Sequence, residues 1–338
     1  MRYYLYFLVI LIFYSCQEEI TLDLPQAEKR LVVEGSIENG FPPYVVLTNN
    51  QGYFEEIDSD TYNNLFINDA IVKIWIYNED GIKEDSVMLE QLPPPFDSIP
   101  IYTDINIINN PGTEKLGEVG KTYYLEINWN NQIITANTKI PEPTKLDCLW
   151  VEQNESADEE FKCDIRAIYS DPADQQNNIL IKSKRIQHYE LNKEDTTLCE
   201  IKNNEDFPFK LIDAGPDVLI NGESFETYFP RPKENGFPTG TYNAYHTKVC
   251  DGDTLEFEED IVLIKFCQID KPSLQFWRGL IRQVGTNGNP FSEPMNLVSN
   301  VNGGLGVFTG YGAYYYIVPI IKGNTIDKDT VLTIKDIF

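Results

Sequence analysis

Six cysteines and only two histidines are the residues whose types could support nucleophilic or metal chemistry in this 338-residue chain. After Cys16 come Cys148, Cys163, Cys199, Cys250 and Cys267, and no pair among them has the CxxC or zinc-finger spacing that brings thiolates onto one metal. His188 and His246 both fall in polar, strand-like stretches, where surface or structural histidines are the ordinary reading. No GxSxG elbow, SxxK or HExxH is present, so the commonest local signatures of hydrolases are missing. A triad assembled from dispersed residues stays open, because its members need not be neighbours in sequence.

Two glycine-rich stretches invite a phosphate-binding reading, and both fail it. Gly120-Lys121-Thr122 ends like a P-loop, but Lys115 stands where that loop needs its first glycine. An alternating strand pattern follows instead of the helix whose N-terminus would face the phosphates. Gly304, Gly306 and Gly310 are one residue too widely spaced for a dinucleotide fingerprint, and a strand follows there too. These glycines suit turns, bulges or close backbone approach. The acidic pairs Asp58/Asp60 and Asp251/Asp253 are candidate calcium ligands; neither matches the EF-hand loop, and turn chemistry accounts for both. No cofactor is therefore expected. Tyr311 and Tyr314 to Tyr316 could form a stacking platform, but alternation along a strand puts only half of them on either face.

The elements that would position such residues are almost all strands. "RLVVEGSIENGFPPYVVLT" predicts a hairpin around Asn39-Gly40, and "AIVKIWIYNEDGIKEDSVML" another around Asp80-Gly81. Val72, Ile74 and Ile76 alternate with Lys73, Trp75 and Tyr77, the period of two that a half-buried sheet imposes. Tyr123, Leu125, Ile127 and Trp129 share one face of a third hairpin. Pro141 and Pro143 mark a linker. The expectation is an all-β protein with minor α content. It has an antiparallel sandwich over 28–143 and a C-terminal β-rich domain over 144–338. One helix is predicted, capped by Asp270, with Pro272 in its first turn and Gly285 at its end. Leu274, Trp277, Ile281 and Val284 form its apolar stripe. Cys148 and Cys163 flank a polar turn in what reads as a hairpin, and a Cys148–Cys163 disulfide is expected.

The start of the chain fixes a compartment. Arg2 precedes an unbroken apolar run, Tyr3 to Tyr14, too short for the roughly 20 residues of a membrane span. Ser15 is small and Cys16 follows, which fits a secretory signal over 1–15. The arrangement resembles the lipobox of bacterial lipoproteins, with Phe13 and Tyr14 bulkier than usual. That resemblance implies diacylglyceryl on the Cys16 sulfur and a further acyl chain such as palmitate on its nitrogen, a lipidated tether over 16–27, and no other cofactor. Gln17, Glu18 and Glu19 resemble the export signal that sends Bacteroidota lipoproteins to the outer face of the outer membrane. The chain carries 53 acidic against 27 basic residues, a net charge of −26, which argues against nucleic acid as a partner and limits membrane contact to the lipid anchor.

Several stretches together, "CQEEITLDLP", "RLVVEGSIENG", "VGKTYYLEI", "TANTKIPEPTKLD" and "GNPFSEPMNLVSNVNGGLGVFTGYG", resemble the DUF4249 lipoproteins of Bacteroidota. The resemblance implies an outer-membrane lipoprotein whose N-terminal sandwich over 28–143 is immunoglobulin-like; with the signal, the acidic β-rich body and the absent catalytic motifs, the expectation is a surface-exposed, non-enzymatic protein. It would act as an accessory, capturing a ligand or gating, for a TonB-dependent transporter, an outer-membrane β-barrel. A structural subunit of a larger outer-membrane assembly or secretion complex, and a surface hydrolase with dispersed catalytic residues, stand as alternatives. The resemblance transfers no catalytic residue.

Overall fold

The computed structural model describes residues 29–51, 65–93, 99–153, 163–189, 204–206, 209–218, 220–230, 241–244, 247–250, 253–286, 296–320, 325–327 and 330–337. Cys16, Gln17, Glu18, Glu19, Asp58, Asp60, Cys199, His246 and Asp251 lie outside these residues.

The first half supplies β1 (Leu31–Glu38), β2 (Phe41–Asn49), β3 (Ile71–Tyr77), β4 (Lys83–Gln91), β5 (Ile101–Thr103), β6 (Thr122–Trp129) and β7 (Gln132–Lys139), with a one-turn helix α1 (Asn106–Asn109). The second half supplies β8 (Cys148–Gln153), β9 (Cys163–Ser170), β10 (Asn178–Tyr189), β11 (Asn204–Asp206), β12 (Lys210–Pro216), β13 (Ser224–Pro230), β14 (Thr241–Ala244), β15 (Thr247–Cys250) and β16 (Asp253–Gln268). Helix α2 (Lys271–Thr286), β17 (Val301–Asn302), β18 (Leu305–Pro319) and β19 (Thr325–Asp327) follow. The chain is thus all-β with minor α content, as the alternation predicts.

In the first unit the strands run β1-β2-β5-β4-β3-β6-β7-β17, and β17 leads through Gly303-Gly304 into β18, which pairs with β1. The sheet curls back on itself around one apolar core. Val72, Ile74 and Ile76 point into it together with Tyr123, Leu125 and Ile127, while Val33, Val45 and Leu47 face them from the other side. Burying such side chains is the dominant favourable term in folding, about 1.5–3 kcal/mol each. The core also contains Val301 and Phe308. Residues far beyond the Pro141–Pro143 linker therefore complete the sandwich expected to end at 143.

The second unit packs the four-stranded sheet β13-β9-β8-β19 against β10, β16 and the far half of β18. The other face of that large sheet is covered by α2. Asp270 caps this helix as predicted: its Oδ1 accepts from the Ser273 amide at 2.9 Å. Leu274 and Trp277 are buried against the sheet and Ile281 packs at the margin. Val284, expected in the stripe, is 60% exposed, and the helix passes Gly285 to Thr286. The helix packs on the sheet through Ile281 in its third turn, and its last turn stands clear.

Strand β18 belongs to both units. Leu305 to Tyr311 pair in parallel with Val32 to Glu38 on β1; Gly312 to Pro319 then pair antiparallel with β16. The glycines of the C-terminal motif make this passage feasible. Gly306 has φ +98° and lies against the Val33 carbonyl, while Gly310 and Gly312 lie against the carbonyls of Lys139 and Pro141. A β-carbon at any of the three would overlap backbone. Asn300 ties the passage down from the side, donating to the Phe308 carbonyl at 2.7 Å and accepting the Phe308 amide at 2.9 Å.

Candidate functional site

The point where β18 changes partners holds the densest group of charged and aromatic side chains that burial sets apart. Register places Lys182 of β10, Lys265 of β16 and Tyr315 of β18 side by side on the face beneath α2. Two like charges directly opposed across strands repel, and burial strengthens the repulsion. The counter-charge comes from the first unit: Glu38, the last residue of β1, bonds the Lys265 ammonium through Oε2. Both are nearly enclosed, Glu38 at 4% and Lys265 at 8% exposure. Aromatic rings complete the walls. The Lys265 ammonium lies 4.3 Å from the Tyr311 ring centre, and that of Lys182 lies 4.2 Å from the Trp277 ring. Lys182 also reaches the Tyr311 hydroxyl at 3.3 Å.

These surroundings drive the two lysines apart. Burial, then the neighbouring Lys265 charge, pulls Lys182 down to about 8. For Lys265 desolvation is again the largest single influence, but Glu38, joined by Tyr315, Cys267 and Tyr311, together outweighs it and holds the ammonium well above the usual lysine range. Burial pushes Tyr311 and Tyr315 far up and keeps both phenols neutral. Cys267, fully buried one alternation along the same face, is a free thiol pushed up to about 12 by burial, so it is not poised as a nucleophile. Chemically the cluster is a neutralised ion pair with one weakly basic amine beside it.

The joint has a second fastening. Asn39 donates its side-chain amide to the Ala313 carbonyl and accepts the Ala313 amide at 2.6 Å. Thr138 of β7 donates to Asp270 Oδ2 at 2.8 Å, and the same hydroxyl accepts the Gly310 amide at 2.7 Å. Trp277 donates its indole N–H to Thr309 at 3.1 Å. Helix cap, linker strand and β18 are therefore bonded into one piece.

Other candidate residues fall elsewhere. Cys148 and Cys163 do lie on one hairpin, as expected, but the register pairs Cys148 with Ile168 and Cys163 with Gln153. Five rungs separate them, about 17 Å along the strand, against the roughly 7 Å limit for bridged Cα atoms. The two are not brought together, and Cys148 is a free thiol. His188 sits in β10 opposite Glu259 and Asn204. Asp253 opens β16. Lys121 of the rejected P-loop pairs with Glu84 at 3.1 Å and Glu118 at 2.9 Å. The tyrosines divide by alternation as the sequence requires, Tyr311 and Tyr315 under the helix and Tyr316 in the opposite core. Among the described residues no group of three His, Cys, Asp or Glu is placed to hold a metal.

Clefts open away from the cluster. One, of about 600 Å³, lies where the units meet, lined by Glu79, Gly120, Lys139, Glu142, Gln176 and Asn177 among others. A smaller apolar one, of about 220 Å³, lies between β12 and β13 against Ile179, Ile181, Phe225 and Phe266. The residues that sequence reasoning missed are Glu38, Lys182 and Lys265. Their one signal was a charge at a position where its strand's alternation calls for an apolar side chain, as with Lys265 between Leu263 and Cys267.

No curated protein matches the chain. Among solved structures it is similar to trypsin-activated alpha-2-macroglobulin from Escherichia coli, at 9% identity and a TM-score of 0.18. That alignment covers 75% of this chain and 16% of the other, and a likeness so slight carries no argument. The family model described as "Domain of unknown function (DUF4249)" matches residues 17–315, the span that contains the first sandwich, most of the second and the glycine passage of β18, and the chain belongs to that family.

Proposed function

We propose that the protein is a lipid-anchored, non-enzymatic accessory subunit at the outer membrane, docking on a β-barrel transporter of the TonB-dependent kind and helping to capture or gate its ligand. The observation that carries this reading is the opening stretch, an apolar run ended by Ser15-Cys16 and followed by Gln17-Glu18-Glu19. The rest of the chain is compatible with a tethered body. Among the described residues no helix is long and apolar enough to cross a membrane. At the joint, Glu38 is paired with Lys265, and Lys182 and Lys265 lie against aromatic rings, an arrangement suited to fastening two sandwiches together rather than to presenting a reactive group to a substrate. A body of this kind offers surfaces and clefts for binding.

Affinity purification of the intact protein from solubilised outer membranes tests the reading. A single stoichiometric β-barrel partner is the expected result. Recovery of several machine subunits favours a structural role in a larger assembly, and recovery of no barrel refutes the accessory role. A Cys16→Ala variant is expected to lose acylation and leave the outer-membrane fraction after a carbonate wash.

A further inference from the structure

One end of the first sandwich combines features that point to a lipid surface. The chain enters the fold at Lys29-Arg30, both exposed, immediately before β1. Leu31 lies beside Gly304, which in turn touches Ile134 at the start of β7. Its neighbour Ile133 is 65% exposed and sits opposite Asn128, which on its other side pairs with Ile71, 59% exposed. Ile71, Asn128 and Ile133 thus form one outward row at the end of the sandwich where the chain enters. Along the same outward face, Met88 is 46% exposed and the Lys73 ammonium stacks 3.7 Å from the Trp75 ring centre. Among the described residues this end and face also carry carboxylates: Asp69 accepts the Trp129 indole N–H at 2.9 Å, the exposed Glu90 adjoins Ile71 in the register, and Glu126 lies opposite Lys73.

Isolated exposed apolar residues are ordinary. Two large β-branched ones in one row, beside a basic pair, in a protein of net charge −26, form a local exception. Apolar tips flanked by Lys and Arg are the composition that settles at a membrane interface. The length of the preceding chain decides the occupant. Residues 17–28 separate Cys16 from Lys29, so even fully extended they span at most about 45 Å. A chain acylated at Cys16 therefore holds Lys29 and the end of the sandwich around it within that distance of the bilayer.

We infer that the Ile71–Ile133 end of the first sandwich rests on the lipid surface that holds Cys16, which turns the second unit and the 600 Å³ cleft away from the membrane. This rests on the acylation proposed above. The full-length protein, purified with its lipids, is reconstituted in vesicles whose acyl chains are dibrominated near the glycerol end. Tryptophan emission is then compared with that in unbrominated vesicles. The expected result is bromine quenching in the wild type that is lost in Trp129→Phe, and lost equally in an acylated, folded Ile71→Glu/Ile133→Glu variant. Absence of quenching in acylated wild type overturns the inference alone, as does quenching unchanged in either variant. An N-terminal peptide whose mass shows no acyl chain overturns both the inference and the anchored reading it depends on.

Discussion

Replacing Glu38 by Gln tests whether the ion pair fastens the two units together. The substitution keeps the side chain's shape and removes its charge. Lys265 is then a buried ammonium with no anion beside it, still directly opposite Lys182. Removing one partner of a buried pair costs about 3–5 kcal/mol, because the remaining charge stays desolvated. Lys265 is only 8% exposed, so water cannot take over the role of Glu38 without local opening. Substituting both partners by apolar groups, Glu38→Leu with Lys265→Met, removes the stranded charge and is expected to lie within about 1 kcal/mol of wild type or above it. Chemical unfolding followed by circular dichroism at pH 7 gives all the values needed for the double-mutant cycle. A Glu38→Gln variant within about 1 kcal/mol of wild type would refute the reasoning. So would a double variant as unstable as the two single losses added together, since coupling between the partners would then be absent.

Four further outcomes follow from the same geometry. Lys182 stands at about 8 in the folded protein against the ordinary 10.5, so between those values the unfolded chain binds more protons and stability rises with pH. Lys265 is charged in both states over most of that window; Cys267, raised from 9.0 to about 12, opposes the rise above about pH 9 in wild type and variant alike, and the buried tyrosines oppose it above about pH 10. Thermal midpoints measured from pH 7.5 to 9.5 should therefore climb more in wild type than in Lys182→Met, and equal slopes would exclude the assignment. Asp270→Ala removes a helix cap and the tie to Thr138, with an expected loss of about 1–2 kcal/mol in an unfolding titration. Gly310→Ala drives a methyl into the Lys139 carbonyl and should cost about 3 kcal/mol or more, read as lost soluble yield or a lowered midpoint. Alkylation of the unreduced, denatured protein should label Cys148 singly, and a recovered Cys148–Cys163 cross-linked peptide would contradict the register.

The strands were legible because their signal is local. Alternation such as Val72-Lys73-Ile74 and turns such as Asn39-Gly40 depend on neighbours in sequence, and so does the Asp270 cap three residues from the amide it receives. What sequence could not show is pairing over distance. Glu38 and Lys265 stand 227 positions apart, and neither residue is unusual for its type. Each merely occupies a strand position where an apolar side chain would serve as well. The hairpin of Cys148 and Cys163 was legible, but its register was not, because the polar turn between them fixes neither loop length nor pairing offset.

The C-terminal motif shows the same division. Its glycines were readable as sites of close approach, yet what they approach, the Val33, Lys139 and Pro141 carbonyls, belongs to the other half of the chain. A boundary at residue 143 follows from composition, since prolines interrupt pairing there. The physical partition differs, because β18 pairs with β1 along one half of its length and with β16 along the other. A strand shared in this way cannot leave one sandwich without exposing Phe308, which is fully buried in the first core, while its own continuation carries Tyr316 in the second. Cutting the chain at 143 would remove Val301 and Phe308 from the first core and strip β1 of one of its two neighbours. The two halves are therefore expected to unfold in one transition, and a fragment ending at 143 to be unstable in isolation. A cooperative, independently folded 28–143 fragment would show instead that β18 is an accessory strand and that the Glu38–Lys265 pair joins two self-sufficient domains.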